Sequence, residues 1–361
     1  MSRIKILLFV FALAQVPLAS AKVTYAVGTC EPKLTSFTTI SAALAATPAP
    51  NVIEVCPGTY NEQVVITIPV TLEGVSNGTS TGATIALPPG GLYIDADDDL
   101  GDQLAVQVLV YSSSGVNLTN LTVDGTGNNA YGAPIVGVFY KNSSGTINHL
   151  NLLNQWDNAI GSAIWLEGGS SNPSVTVENS TMLGFQNIGI RAETNSTTSE
   201  LIATIRGNSL NGTYATCECE GAQYGIDFGP GATATVSANF VTDTFYGIYA
   251  ASTGTVSKNI LVTTGFAIDV ETDDASVTSN TIYDALGNGS IGIFAHSAVS
   301  PITGNSIVAQ ATGIEFDCVA GSNVHSNTIV NETKGLNDVP TAAVTTNTFY
   351  GVSAIRNVGG C

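Results

Sequence analysis

The chain has 361 residues, a formal net charge of −18, and 11% charged side chains against 44% hydrophobic ones. That apolar fraction excludes a disordered chain, the composition lacks the Ala/Glu/Lys/Leu bias of a helical bundle, and 10 basic residues against 28 acidic ones exclude a basic nucleic-acid-binding face. The 38 glycines are spaced too widely for collagen, which leaves a Gly- and Asn-rich β-solenoid or β-sandwich.

Residues 1–21 carry the pattern of a secretory signal peptide: Arg3 and Lys5, then an apolar run from Ile6 to Leu13, then Ala19-Ser20-Ala21 as the small-residue cleavage site. The apolar run is too short to span a bilayer. Cleavage is therefore expected to leave a protein that is extracellular or periplasmic and off the membrane. Loss of the two cations would move the net charge from −18 to −20. Residues 22–75 read as an N-terminal cap with a first coil, and 76–361 as repeats continuous with it.

Within the cap, Phe37 to Ala46 places Phe37, Ile40 and Leu44 on one helical face. Strands are predicted at Val52 to Cys56 and Gln63 to Ile68, joined by Pro57-Gly58-Thr59-Tyr60. A short amphipathic helix there would cover the open end of the first coil. Secretion permits disulfides. Six cysteines allow fifteen full pairings, and Cys30–Cys56 is the pairing expected, since both lie in the N-terminal unit. Cys217-x-Cys219 lacks the second Cys/His pair that a zinc site needs. Further on, Asp95, Asp97, Asp98, Asp99 and Asp102 crowd one loop. An EF-hand would need Gly and Glu where Leu100 and Val106 stand. The readings left are a calcium loop of another kind, with Asp95, Asp97 and Asp99 as ligands, and an acidic surface loop.

From Val236 onward a pattern of an apolar residue three positions before Asn recurs at Asn239, Asn259, Asn280, Asn305, Asn327 and Asn347, with spacings of 20, 21, 25, 22 and 20. Asn179 and Asn208 extend the series upstream and Asn120 begins it. A second pattern, Gly-Ile-x-apolar, recurs at Gly189, Gly225, Gly247, Gly292 and Gly313, with Ala163-Ile164, Ala267-Ile268 and Gly335-Leu336 as variants. A period of 20–25 residues in β-branched sequence means one solenoid coil per repeat. Each coil is expected to hold two alternating strands joined by Gly and Asn turns, with the asparagines tolerating left-handed backbone and bonding up a column.

The Phe37-Thr38-Thr39-Ile40-Ser41-Ala42-Ala43 stretch, the Val55-Cys56-Pro57-Gly58-Thr59-Tyr60-Asn61-Glu62 turn and Leu72-Glu73-Gly74-Val75 resemble the opening of secreted proteins of the pectin-lyase-like superfamily. The Gly-Ile and Asn repeats resemble its later coils. The resemblance spans roughly residues 23–357 and implies an all-β, right-handed parallel β-helix with an N-terminal capping helix. It does not transfer an activity, because the superfamily mixes lyases, hydrolases, esterases, epimerases and non-enzymes. The pectinesterase pattern survives only as Asp227-Phe228-Gly229. Polygalacturonase motifs reduce to Asp273-Asp274 and His296 without Gly-His-Gly or Arg-Ile-Lys. A pectate-lyase Arg base has only the isolated Arg191.

Strand alternation defines a surface all the same. In each Gly-Ile strand the first and third residues after Gly point inward and the second and fourth outward. The outward pairs are Phe139/Lys141, Trp165/Glu167, Arg191/Glu193, Asp227/Gly229, Tyr249/Ala251, Asp269/Glu271, Phe294/His296 and Glu315/Asp317. Aromatic rings beside carboxylates suit sugar faces and hydroxyls. Phe139, Trp165, Arg191, Asp227, Tyr249 and Phe294 are therefore the expected substrate contacts. Asp269, Glu271, His296, Glu315 and Asp317 fall on three successive coils and form the expected catalytic group, with carboxyl separations in the range of an inverting glycosidase and crowding that raises one pKa; the other readings of this cluster are a calcium site and a solvated acidic patch. No cofactor is required, with Ca2+ as the cation to consider. The expected partner is a polysaccharide, and a neutral one, since a strongly acidic protein repels polyuronates. Two functions follow: a secreted β-helix protein that binds and cleaves or modifies a polysaccharide on this face, or a non-catalytic extracellular structural or carbohydrate-binding module. Nine Asn-x-Ser/Thr sites, among them Asn117, Asn142 and Asn211, read as a by-product of Asn/Thr-rich coils.

Overall fold

A computed structural model describes residues 22–76, 82–128, 133–156, 161–194, 200–213, 223–263, 265–272, 274–284, 290–296, 301–308, 310–317, 323–338 and 345–357. The expected signal peptide and Cys217, Cys219, Cys318 and Cys361 lie outside the described residues.

The fold is a parallel β-helix. Three sheets of 13, 12 and 13 strands run its length, and every pairing along them is parallel. At about 4.8 Å per strand the stack is about 60 Å long. The first sheet ends at Val324–His325, the second at Thr348–Tyr350 and the third at Ala354–Asn357. Inward Val, Ile, Leu and Ala side chains from all three form one continuous buried core from Val27 to Leu336.

Each coil holds three strands, not the two that the repeat pattern suggests. The first and second sheets are separated by only two residues, so their strands read as one run: Ala232–Ser237 is followed by Ala238, Asn239 and the strand Phe240–Thr242. The left-handed residue of this corner is the one before the Asn, as at Ala238 (φ 55°), Lys258 (φ 58°), Ser279 (φ 59°) and Ser326 (φ 60°). The expectation that the ladder asparagines supply the left-handed backbone is thereby corrected. They serve the hydrogen bonds alone. From Asn208 to Asn327, each backbone N–H and each Nδ2 donates to the Oδ1 of the next coil's Asn at 2.8–3.0 Å. Asn179 and Asn120 do not belong to this column. Both sit in left-handed corners (φ 50° and 54°), and Ser180 takes the ladder position, its N–H donating to Asn208 Oδ1 at 3.0 Å. Register places Leu150 and Leu121 on the two coils before it.

At the N-terminus the helix is shorter than its pattern predicts, Ile40–Leu44, because Thr35–Phe37 pairs as an edge strand beside Thr24–Val27. Thr39 caps it by accepting from Ala42 N–H at 3.2 Å. The Glu62 carboxylate accepts from Ile40 N–H (2.7 Å), Ser41 N–H (2.9 Å) and Ser41 Oγ (2.6 Å). Ile40 and Ala43 are fully buried in the core. The Cys30–Cys56 disulfide is present. Among the described residues no helix is long and apolar enough to cross a membrane.

Candidate functional site

The third sheet carries the Gly-Ile strands. Gly225 shows why glycine precedes the Ile: a Cβ there would sit 2.4 Å from Val241 Cγ1 and 2.6 Å from the Gly247 carbonyl oxygen. Ile226 and Phe228 enter the core as predicted, so the side chains between them face out. One outward column, in strict register, runs Leu109, Phe139, Trp165, Arg191, Asp227, Tyr249, Asp269, Phe294, Glu315 and Asn337.

The first third of this column is covered. The Leu87–Leu104 segment folds back over it, with Ala96–Asp97 pairing antiparallel to Gln103–Leu104. Leu104, Val106, Leu109, Val136, Phe139 and Trp165 form a second apolar cluster under it, with Ala96 packed on top. Phe139 is 0% and Trp165 4% exposed, which corrects their reading as substrate contacts: they face out of the coil and are roofed over. The acidic loop is the clasp of this strap. Lys141 Nζ donates to the Asp97 carbonyl (2.6 Å) and Asp97 Oδ1 (2.8 Å), and Asp99 N–H donates to Glu167 Oε2 at 3.0 Å. Asp95 Oδ1 accepts from Val106 N–H at 2.9 Å, and burial pushes its carboxyl up to about 6. Asp95 and Asp97 thus face different partners, and the cation beside Asp97 is the Lys141 ammonium. Burial also pushes Glu167 up to about 8, against the pull of Lys141.

Beyond the strap the face opens. Arg191 lies over the Trp165 ring at 4.7 Å and pairs with Glu193 at 2.9 Å and Asp227 at 3.6 Å. Burial raises Glu193 to about 7 and Asp227 to about 6, with Arg191 opposing both. Next comes a platform that strand alternation hides. Tyr224 and Tyr246 stack at 4.8 Å with planes 7° apart, and Tyr246 and Phe266 stack at 5.2 Å and 13°. Tyr249 meets Tyr224 edge-on at 5.5 Å. Tyr224, Tyr246 and Phe266 stand on the residue before each Gly or Ala, three positions from the outward column. Tyr-Gly-Ile at residues 224 and 246 and Phe-Ala-Ile at 266 are the signal in the sequence that marks them.

At the far end of the platform, four of the five expected catalytic residues meet. His296 Nε2 lies 3.1 Å from Glu271 Oε1 and 3.6 Å from Asp269 Oδ1, and His296 Nδ1 lies 3.3 Å from Asp317 Oδ2. Phe294 packs edge-on to the imidazole at 4.5 Å. Asp269 is 4% exposed, and burial followed by the neighbouring Glu271 charge pushes its carboxyl up to about 7, while His296 pulls it down. Glu315 follows Phe294 in the column, and among the described residues its carboxylate makes no ion pair with His296. One ligand atom from each of Asp269, Glu271 and His296 lies within 4.8 Å of the other two.

The family model described as "Protein of unknown function (DUF1565)" matches residues 27–261. The chain belongs to that family. A second model, "Periplasmic copper-binding protein (NosD)", matches residues 202–358. Both describe right-handed β-helices, and the DUF1565 chain described here is a pectin-lyase-like β-helix. No curated protein matches it in sequence. Among solved structures it resembles GH136 lacto-N-biosidase from Eubacterium ramulus, with TM-score 0.62 and 12% identity over 94% of this chain and 68% of that one. It also resembles the Azotobacter vinelandii mannuronan C-5 epimerase AlgE4 A-module, with TM-score 0.52 and 16% identity over 90% and 92%. The surface adhesin PfbA of Streptococcus pneumoniae gives TM-score 0.52 and 14% identity over 89% and 88%. At these identities the shared feature is the fold.

Proposed function

We propose that this chain is a secreted β-helix protein that binds a neutral polysaccharide along the open part of the third sheet and modifies it at the Asp269 end. The observation that carries this reading is the Tyr224–Tyr246–Phe266 stack, half-exposed and flanked by the carboxylates Asp227 and Asp269 on the adjacent column. Flat rings offer an apolar surface to the CH face of a sugar. Carboxylates beside them accept hydroxyl hydrogen bonds, and Arg191 donates at the strap end. Against that cation and His296 the face sets Glu193, Asp227, Asp269, Glu271, Glu315 and Asp317, so a polyuronate would be repelled. The reacting bond would lie over Asp269, Glu271, His296 and Asp317, with Glu315 beside them. Phe294 and Tyr249 would be flanking contacts.

The test is binding and turnover on a panel of neutral and acidic polysaccharides, read by affinity electrophoresis, reducing ends and unsaturated products. A neutral glycan should bind, and Tyr246→Ala should weaken it about 2- to 10-fold, the worth of one aromatic contact. Asp269→Asn should leave affinity within about threefold and abolish any product. Binding with no product from the wild type would support the non-catalytic module instead. Absence of binding to every glycan, or binding indifferent to Tyr246→Ala, would overturn the proposal.

A further inference from the structure

We infer that Asp269, Glu271 and His296 form a binding site for one divalent transition-metal ion, and that Asp317 orients the histidine for it. The inference stands on the geometry of these four residues and does not depend on the glycan reading.

The first argument is convergence. The three ligand atoms lie within 4.8 Å of one another, and Nε2 is already 3.1 Å from Glu271 and 3.6 Å from Asp269. A tetrahedral ion with bonds of about 2.1 Å holds its ligand atoms about 3.4 Å apart. Small side-chain rotations would close the set. Asp269 lies on the strand Phe266–Val270, and Glu271 and His296 directly follow it and its register partner Ile291–Ala295, so backbone spacing fixes their separation before any ion arrives.

The second argument is an unmet acceptor. Asp269 is 4% exposed and its Oδ1, the atom facing the imidazole, receives no hydrogen bond. A buried carboxylate oxygen without a donor is costly, and a cation at this point would satisfy it.

The third is the histidine itself. Asp317 faces Nδ1 and the other two carboxylates face Nε2. With the Nδ1 proton donated to Asp317, the Nε2 lone pair points at the Asp269 and Glu271 carboxyl groups, a geometry that a shared proton or a metal ion between them would satisfy. A carboxylate behind a ligating histidine is the usual outer support of a metal site, and Phe294 fixes the ring plane from the side. The candidates for that position are a proton, on the ring or on Asp269, or a metal ion. One nitrogen and two carboxylates suit a borderline ion such as Zn2+, Co2+ or Mn2+ better than Ca2+, which takes six to eight oxygens.

The experiment uses the full mature chain stripped with chelator. Zn2+ is titrated by calorimetry near pH 7.5, and Co2+ is followed by its visible absorption, which reports a coordinated nitrogen. One equivalent of metal should bind, with Ca2+ at equal concentration failing to displace it. His296→Ala and Asp269→Asn should abolish the stoichiometric phase, and Asp317→Asn should weaken it about 10- to 100-fold. Thermal unfolding of each variant without metal controls for folding, and Glu271→Gln provides a second, milder ligand loss. The proposal is overturned by the absence of saturable binding. It is equally overturned if His296→Ala retains the full equivalent, which would place the metal on other residues. An imidazole NMR signal that titrates as an imidazolium and ignores Zn2+ would identify the cation as a proton and also overturn it.

Discussion

Replacing Asn259 with Ala tests the internal ladder most directly. Asn259 is 0% exposed. Its Nδ2 donates to Asn280 Oδ1 (3.0 Å) and to the Val236 carbonyl (3.1 Å), while its Oδ1 accepts from Asn239 N–H (2.9 Å) and Asn239 Nδ2 (3.0 Å). The substitution removes four hydrogen bonds at about 1 kcal/mol net each and strands the Asn239 N–H in the core. Part of that loss will be recovered by relaxation and water, so a destabilisation of about 3–5 kcal/mol is expected. Asn347→Ala is the comparison, since Asn347 sits at the half-buried end of the column, where its Oδ1 accepts from Asn327 N–H (2.8 Å) and Nδ2 (2.9 Å) and its Nδ2 donates to the Val324 carbonyl (3.1 Å). Water can replace part of these three bonds at the half-buried end, so Asn347→Ala should cost clearly less. Urea unfolding followed by circular dichroism gives both values, and hydrogen exchange at Asn239 N–H reports the local opening. A cost below about 1 kcal/mol for Asn259→Ala, or equal costs at the two sites, would refute the reasoning.

Three further outcomes follow from the same structure. Glu167, Glu193 and Asp227 have folded pKa values raised to about 8, 7 and 6. Their protonated forms therefore favour folding, a contribution complete below about pH 4 and lost as pH rises through 6 to 8, at about 1.4 kcal/mol for each tenfold rise in proton affinity on folding. The melting temperature should fall over that window and Glu167→Gln should flatten the fall; a rise from pH 5 to 8 would contradict it. Lys141→Met removes the ammonium that clasps Asp97 and should loosen the strap, so acrylamide quenching of Trp165 fluorescence should increase, with a Trp156→Phe background isolating the signal. Glu62→Ala withdraws the acceptor of three donors at the start of the helix Ile40–Leu44 and should cost about 1–2 kcal/mol in thermal unfolding.

The solenoid is legible because its cause is repetitive. An Asn every 20–25 residues and Gly-Ile strands between them leave few other folds. The ladder is legible from Asn208 onward, and the pattern misleads at Asn120 and Asn179. The ladder residue and the left-handed residue are neighbours in sequence, and asparagine suits both. The open face is legible in its outward column and not in its aromatic platform. Strict alternation puts Tyr224 and Asp227 on opposite faces, whereas the Tyr224 ring meets Tyr249, the register neighbour of Asp227 in the column. The roof over Phe139 and Trp165 leaves no trace in the pattern. A single strap has no period, and its apolar residues announce burial without saying against what. The gathering of Asp269, Glu271, His296 and Asp317 is visible as coil arithmetic, while the exclusion of Glu315 depends on side-chain direction, which spacing does not carry.

Strict register along the third sheet also makes the molecule a ruler. Any two side chains in the outward column are separated by a whole number of coils, each about 4.8 Å, and loop insertions at the corners leave that count unchanged. Tyr246 and Phe266 can therefore be moved apart only in whole steps, by duplicating an entire coil. A duplication placed after Thr263 would preserve every ladder bond in kind while shifting Tyr224 and Tyr246 one graduation from Phe266 and His296. The spacing between what holds a long ligand and what acts on it is thus a digital quantity in this fold, set by counting coils.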